Sequence, residues 1–566
     1  MTLELMELTP NRQFIDPQFS SYKLSLDPIP TLEKKLDIAV RRIVPDSSQY
    51  SFLHAKLFAL HNHLVGETIN STEFIYFVDE SWCIRKAFVD DSSQLIQVLE
   101  MIKIPQTYER APVCYNDSLK LVNDNLALFS DGVGRMYVLE TGNRLLHYPW
   151  KQLSVVELTD ANVNVVIQDA RFLNATDVEE IHCLLYSVEQ TPNKQKYVNV
   201  LYWIKIAKQD SIWKKAEMKK FISTVNASFD YVYLEPSCEA LYIISSGSFT
   251  FIDQNDESTN TISCAGTHKT YCWSQTHDDI NITIKVPHSH TIQVNTQLKR
   301  VNIMFNEQSV LNGELSHEID ETLTNWYVQG NLLEVQLYKK QEGLFWTDLI
   351  LGDDSGDYIV HPTFAADAHR KLAHLCSEHE VLAPSGVTFN SQQIEECDFE
   401  RDKYLTFERF SKSTKAATHR VNINTHAMVL IVQRHASLPP AVALRHDVDA
   451  YIWQPIFEDG NFILRHEGTL HAFGYVQASK QERKFSICAP NLSYCAILDT
   501  TRRILVYRQQ KTIDNGELRN RATGKMVKHI AQQHVITLPY EEIVGSYAAD
   551  SRLFILTVDH IYVSIL

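Results

Sequence analysis

A two-strand phrase recurs along the chain and constrains its fold more than any other sequence feature. Each copy has a polar turn, a few apolar residues, a short polar break and a second apolar strand. Copies are found at 71–89, 123–142, 235–253, 489–508 and 548–566. Each copy predicts a β-hairpin, because the Ser, Asp, Gly and Thr residues of the breaks are typical turn formers.

The first strand of these hairpins is apolar on both faces, as at 126–129 and 241–244. Such strands must be covered on both sides, which is typical of a β-propeller, where each blade packs between two neighbours. The apolar strand 561–566 ends the sequence, and ring closure predicts that it pairs with an early blade. We therefore predict an all-β chain built around a β-propeller, which we expect to be seven-bladed. A pair of ordinary β-sandwiches is the alternative.

The middle of the chain has a different sequence pattern. Short, alternating segments between 269 and 352 predict a small antiparallel β-sandwich, with strands at 280–286, 299–305, 311–320, 326–329 and 331–339. A polar linker, 254–268, precedes it. The connector 353–400 follows and contains a predicted helix at 364–376, where apolar residues recur at helical spacing.

These features predict a sandwich inserted between two halves of a propeller. We expect an N-terminal arm packing on the propeller at 1–45, the first half at 46–253, and the second half with ring closure at 401–566. Insertions of this kind are tolerated at exposed loops when the two chain ends lie close together.

Charge and cysteine usage limit the class of partner and the compartment. The net charge is −16, which opposes broad binding to phosphate backbones and suits protein partners, so we expect no direct nucleic-acid binding. No apolar stretch approaches the roughly 20 residues that cross a bilayer, and no signal peptide is recognisable. The ten cysteines form no C-x-x-C pair, which is typical of reduced thiols in a cytosolic or nuclear protein. We expect a monomer located in the cytoplasm and nucleus.

The sandwich segment carries motifs of a known family. They are YCWSQT at 271–276, LNGELSHEI at 311–319, TNWYVQGNLLEVQLYK at 324–339 and LFWTDLILGD at 344–353. This segment resembles the CS domain of the NudC family. It departs from the family pattern at Gln329-Gly330, where an acidic residue commonly precedes the glycine, and at Phe345-Trp346, where two tryptophans are common.

The resemblance extends beyond the sandwich. Segments 15–30, 128–142, 444–455 and 474–509 are similar, in the same order, to NudC-family members with a central CS domain. The resemblance implies a co-chaperone linked to the ninety-kilodalton heat-shock chaperone. NudC-type co-chaperones often act on β-propeller clients. It also implies direct engagement of selected clients, a DEAH-box RNA helicase among them.

Three tryptophans of the sandwich are candidate interaction residues. Trp273, Trp326 and Trp346 lie at predicted strand starts and ends, where a large aromatic side chain can anchor either a core or an interface. Packing in the sandwich core is the simpler interpretation. Tyr327 is a better interface candidate than Trp326, because alternation places adjacent residues on opposite faces.

Basic residues of the sandwich form a second candidate set. Lys285, Lys299 and Arg300 lie on or beside predicted strands. The simpler interpretation is a solvated polar face. The functional one is a charged rim that steers an acidic partner and changes its association rate more than its affinity.

The segment LRHDVDAYIWQP is the third candidate. It groups Arg445, His446, Asp447 and Asp449. A metal site needs three or four converging ligands and a catalytic triad needs an oriented nucleophile, and the sequence supplies neither here. We expect hydrogen bonding within a loop at a blade edge, with a protein contact as the alternative.

No motif supports a nucleotide site, a metal site or a catalytic constellation, so we predict a non-enzymatic adaptor without cofactors. A structural scaffold in an RNA-processing assembly is the second hypothesis. A propeller hydrolase with chemistry at the central channel is the third.

Overall fold

The computed structural model describes residues 3–253, 271–358 and 405–566, apart from short interruptions of which the longest are 106–113, 191–195, 286–291 and 513–528. The chain divides into two compact units. One comprises Met1–Thr261 and Gln392–Leu566, and the other comprises Ile262–Ser391. The helix predicted at 364–376 lies outside the described residues.

The first unit begins with an arm of three short strands. They are β1 (Glu4–Met6), β2 (Tyr22–Leu24) and β3 (Thr31–Lys35), with a 3-10 turn at Arg12–Phe14. Helix α1 (Phe52–Ala59) follows. It begins after Ser51, whose side chain accepts a hydrogen bond from the backbone N–H of His54, a favoured N-cap arrangement.

Two four-stranded antiparallel sheets come next. The first contains β4 (Val65–Ile69), β5 (Thr72–Val78), β6 (Cys83–Asp90) and β7 (Leu95–Lys103). The second contains β8 (Ser118–Leu121), β9 (Leu126–Ser130), β10 (Arg135–Glu140) and β11 (Lys151–Glu157). The hairpins predicted at 71–89 and 123–142 are β5–β6 and β9–β10.

The third sheet has longer strands, and the fourth begins beside it. The third contains β12 (Val166–Ala175), β13 (Val178–Gln190), β14 (Tyr197–Gln209) and β15 (Ile212–Ser223). The fourth begins with β16 (Phe229–Leu234) and β17 (Ala240–Ser245), and β18 (Phe249–Asp253) follows. The hairpin predicted at 235–253 is wrong, because β18 leaves β17 and pairs with β15 at the edge of the third sheet.

The second unit is a two-sheet sandwich. Its strands are β19 (Tyr271–Gln275), β20 (Asp279–Lys285), β21 (Ile292–Gln297), β22 (Arg300–Phe305), β23 (Gln308–Glu314), β24 (Ile319–Gln329), β25 (Leu332–Lys339) and β26 (Gly356–Tyr358). One sheet has the order β24-β25-β20-β19-β26, and the other has β21-β22-β23. Alternation buries Ile280, Ile282 and Ile284 in the core between the sheets.

The sandwich differs from the expectations in four details, the first being that β24 begins at Ile319 rather than at 326. Strand β21 was not predicted. The strand predicted at 311–320 ends at Glu314, and Leu315 forms an isolated bridge with Ile350 instead. Strand β26, within the predicted connector, pairs in parallel with β19.

The chain returns to the first unit and completes the fourth sheet with β27 (Thr406–Ser411) and β28 (Ala416–Asn422). The fifth sheet contains β29 (Met428–Val432), β30 (Ala441–His446), β31 (Asp449–Glu458) and β32 (Asn461–Leu470), and helix α2 (Phe473–Ala478) follows it. The sixth contains β33 (Arg483–Cys488), β34 (Tyr494–Asp499), β35 (Arg503–Thr512) and β36 (His529–Thr537). The seventh contains β37 (Ile543–Ala548), β38 (Arg552–Thr557) and β39 (His560–Ile565).

Seven apolar clusters among the described residues show that the seven sheets form a closed ring. Each cluster joins two consecutive sheets, in the order first to second, second to third, and so on to sixth and seventh. The last joins the seventh sheet to the first, through residues such as Phe554 and Phe77. The predicted all-β propeller with an inserted sandwich is therefore confirmed, with seven blades.

The N-terminal arm closes the ring and covers its outer edges. Strand β1 pairs with β28, β2 with β36 and β3 with β39, so the arm extends the fourth, sixth and seventh blades. The C-terminal strand therefore pairs within the last blade with an N-terminal strand, rather than joining an early blade. Strand addition at these edges removes unpaired backbone groups that would otherwise template aggregation.

Candidate partner-binding surfaces

Two of the three predicted tryptophans belong to the sandwich core. Trp273 and Trp346 are buried, as the simpler interpretation expected. The buried side chain of Gln275 accepts a hydrogen bond from the backbone N–H of Trp346 at 2.9 Å and donates one to the Trp346 carbonyl at 2.8 Å. Lys339 also donates to the Gln275 oxygen at 2.9 Å, and its burial lowers the pKa of its ammonium group. The Y-x-W-x-Q motif is thus a folding element.

Trp326 differs from the other two. It lies on β24, an edge strand of its sheet, and is 44% exposed, so the core interpretation is wrong at this position. Leu323 and Val328 of the same strand are also exposed. The side chain of Tyr327, the preferred interface candidate, lies outside the described residues.

The predicted basic rim is partly paired within the sandwich. Lys299 forms an exposed ion pair with Glu314 at 2.9 Å, and the Arg300 guanidinium donates to Asn312 Oδ1 at 3.3 Å. Exposed pairs of this kind contribute little to stability, so both residues can exchange partners at low cost. The side chain of Lys285 lies outside the described residues. A steering role for this set stays a prediction.

Residues 447–448 form the hairpin turn between β30 and β31, and Arg445, His446 and Asp449 lie at the adjoining strand ends. His446 lies opposite Asp449 in the strand register, and Asp447 adopts a positive φ of 53° in the turn. The Asp449 carboxylate accepts a hydrogen bond from Ala472 N at 2.6 Å, at the start of α2. The His446 ring stacks on Tyr451 at 4.8 Å.

These contacts match the predicted loop hydrogen bonding at a blade. The structure brings the loop of Arg445 and its neighbours against α2, because the backbone N–H of Tyr475 also donates to the Val448 carbonyl at 2.9 Å. The His446 ring and the Asp449 carboxylate thus have structural partners. A protein contact through this turn stays a prediction.

A segment that the sequence interpretation did not single out crosses one end of the ring. Residues 41–64 leave β3, contact several blades where their first strands begin, and return to β4. The contacts are Ile43 N to Asn116 Oδ1 at 2.8 Å, Lys56 Nζ to Asp230 Oδ1 at 2.7 Å, and His63 N to Val544 O at 3.1 Å.

Charged and imidazole groups of segment 41–64 interact with the sixth and seventh blades. Glu542 is paired with Arg42 and accepts from Lys484 at 3.1 Å. Burial acts to raise the pKa of Glu542, but these two hydrogen bonds hold it below its usual value. Burial lowers the pKa of His61 to about 4, and the Lys484 charge acts in the same direction. His61 is therefore neutral at pH 7.

Three large apolar side chains of this segment are exposed. Val44, Tyr50 and Phe52 are exposed by between 73% and 77%, and the Tyr50 ring packs edge-on against Tyr197 at 5.7 Å. Large exposed apolar side chains in a cluster mark interaction surfaces more often than isolated ones do. The sequence signal was present in QYSF, where two aromatic residues flank Ser51, a favoured helix N-cap residue.

Within the described ranges, no three His, Cys, Asp or Glu side chains are grouped as metal ligands would be. In the same part of the chain, no helix is both long enough and apolar enough to span a membrane.

Comparisons with known proteins identify relatives of the whole chain. A family model described as "CS domain" matches residues 269–339. NudC domain-containing protein 1 from Mus musculus is 31% identical over 569 residues, which cover 97% of both chains. The protein of the same name from Xenopus tropicalis is 32% identical over 571 residues, covering 97% of this chain and 96% of its own.

Among solved structures, the nuclear movement protein from E. cuniculi GB-M1 is 29% identical. It covers 14% of this chain and 99% of its own, with a TM-score of 0.14. The family assignment therefore rests on the relatives that match nearly the whole chain.

Proposed function

The chain belongs to the NudC domain-containing protein 1 family, and from this premise we propose that it is a non-enzymatic co-chaperone and client adaptor. The proposal rests on the CS-domain match at residues 269–339, in a chain that its relatives match over 97% of its length. CS domains are typical of co-chaperone-like proteins. The proposed partners are the ninety-kilodalton heat-shock chaperone and folded or folding clients, in the cytoplasm and nucleus.

Two features of the molecule support a binding role. The propeller is a ring of seven blades whose turns and loops offer contact surfaces, and segment 41–64, which contacts several blades, has exposed aromatic side chains at Tyr50 and Phe52. The sandwich carries a second exposed apolar edge at Trp326. Interfaces usually depend on a few such aromatic anchors inside a polar rim.

The proposal is tested with the purified intact chain and the purified ninety-kilodalton chaperone, mixed without nucleotide, with ADP and with a non-hydrolysable ATP analogue. Isothermal titration calorimetry should detect direct association in at least one nucleotide state. A DEAH-box RNA helicase, the client implied by the resemblance, is titrated in the same way. The absence of binding to both proteins in every state would contradict the proposal.

A further inference from the structure

Strand β24 has an unpaired backbone edge in the described part of the sandwich, where it pairs only with β25. Gln329 lies opposite Leu332 across a two-residue connection. In such a hairpin the flanking pair is hydrogen-bonded and the pairs then alternate. The N–H and C=O groups of Trp326 and Val328 therefore point away from β25, toward the free edge.

Apolar side chains lie beside these backbone groups. Leu323, Trp326 and Val328 are 54%, 44% and 43% exposed, and the last two are spaced by two residues and share one face of the strand. Ile292 and Val294 of β21, the neighbouring edge strand of the other sheet, are only partly buried. The free edge thus combines outward backbone hydrogen-bonding groups with apolar side chains that recur at every second residue.

This edge lacks the features that usually protect an exposed strand. Natural edge strands are often blocked by Lys or Pro, and IDETLTNWYVQ contains neither. Its charged residues are Asp320 and Glu321, both at its beginning. A net charge of −16 on the chain disfavours a second copy at this edge and favours a segment with basic residues.

We propose that Asn325–Gln329 binds an extended segment of a protein partner, which adds to the sandwich as an antiparallel strand. Backbone hydrogen bonds to Trp326 and Val328 hold the segment, and its alternating apolar side chains pack on the exposed side chains of β24. Lys or Arg residues at its carboxyl end face Asp320 and Glu321, because an antiparallel strand ends where β24 begins. This inference rests on the proposed function, which supplies a protein partner. It adds the surface that binds this partner and the sequence pattern that is recognised.

The test uses a fluorescein-labelled synthetic peptide, Ser-Val-Thr-Val-Thr-Ser-Lys-Lys with an amidated carboxyl end, and the intact chain. Fluorescence anisotropy should show saturable binding. A peptide with both Val residues N-methylated loses strand hydrogen bonding, and one with Glu in place of Lys loses the charge match. Each should bind about tenfold more weakly or worse, which corresponds to about 1.4 kcal/mol.

Two variants of the chain separate surface from backbone effects. Trp326→Glu removes the apolar anchor, and Val328→Pro removes an outward N–H at an edge position that tolerates proline. Both should weaken binding about tenfold or more. Leu351→Glu changes an exposed leucine of the same sandwich and should leave the affinity within about twofold.

Three outcomes would overturn the assignment: no saturable binding by the wild-type chain, equal binding of the N-methylated peptide, or equal losses in all three variants. Concentration-dependent dimerisation in sedimentation equilibrium that Val328→Pro abolishes would also overturn it, because a second copy would then occupy the edge. Calorimetry with the chaperone on the same variants separates the two proposals. Retained chaperone binding without peptide binding contradicts strand addition alone.

Discussion

Arg409 and Glu235 form a buried bidentate ion pair that joins chain segments on either side of the inserted sandwich. Arg409 Nε lies 2.7 Å from Glu235 Oε2, and Nη2 lies 3.1 Å from Oε1. Glu235 follows β16, before the insertion, and Arg409 lies on β27, after it. The fourth blade therefore contains strands from both halves of the ring, and this pair fixes one half against the other.

Breaking this pair should destabilise the propeller strongly. Arg409→Met leaves the Glu235 carboxylate buried without its cation, which typically costs about 3–5 kcal/mol. The free energy of unfolding is measured by urea denaturation of the intact chain.

Two further variants control for this effect. Lys208→Met breaks the exposed pair with Glu179 and should cost at most about 1 kcal/mol. The double variant Arg409→Met with Glu235→Met should be less destabilised than Arg409→Met alone, because no charge remains buried. Equal costs for Arg409→Met and Lys208→Met would show that the pair does not join the halves.

Gly66 should tolerate no side chain, because the first and seventh blades meet there. A Cβ added at this position would lie 2.1 Å from Cγ of the Tyr547 ring, an impossible approach. Gly66→Ala should therefore cost about 1–3 kcal/mol of folding free energy through overpacking. The variant Tyr547→Ala provides the matched background. If the penalty of Gly66→Ala is as large there, the contact between the first and last blades is not its cause.

Gln275 should be required for the stability of the sandwich. Gln275→Leu removes the acceptor for the Trp346 N–H and one acceptor for Lys339, so a loss of roughly 2–4 kcal/mol is expected from buried polar groups. Differential scanning calorimetry of the intact chain reports the transition of the sandwich. Gln297→Leu, at an exposed position of β21, should change stability by less than about 0.5 kcal/mol. Similar shifts for both variants would contradict a folding role for the motif.

Acidification should destabilise the ring through His182. The buried Nδ1 accepts from Trp203 Nε1 at 3.3 Å, and burial, aided by the Lys412 charge, lowers the pKa of His182 to about 4. The unfolded chain therefore binds more protons than the folded one below pH 6.5, and stability falls with pH until about pH 4. Between pH 6.5 and 5 this amounts to roughly 2 kcal/mol.

The variant His182→Asn keeps an acceptor for Trp203 and does not titrate. Urea unfolding followed by tryptophan fluorescence at pH 7 and pH 5 gives the pH-dependent loss for each protein. The loss should be smaller in the variant, and equal losses would show that His182 does not carry this dependence.

Local sequence patterns predicted the elements whose strands are close together in the sequence. The hairpins β5–β6, β9–β10, β34–β35 and β38–β39 follow the recurring phrase, and the CS motifs located the sandwich. Strand pairing over long distances could not be predicted in the same way. The β18 segment has the texture of a hairpin partner for β17, yet it pairs with β15, because β27 returns from beyond the insertion to occupy that place.

The candidate surfaces show the same limit. Alternation predicted which strand positions share a face, but the exposure of Trp326 depends on tertiary packing, which no local pattern encodes. Tyr50 and Phe52 were missed because the sequence alone does not show that two aromatic residues beside a helix N-cap stay exposed. The loop at Arg445–Asp449 was predicted as hydrogen-bonded, since Asp and His in a short turn have few other partners.

The central claim, that the chain is a partner-binding adaptor, is tested most directly by quantitative affinity purification of the intact tagged chain from cells, with mass spectrometry of the bound proteins. We predict stoichiometric recovery of the ninety-kilodalton heat-shock chaperone, or of a reproducible set of clients, relative to an unrelated tagged propeller. Recovery of neither above that reference would contradict the account.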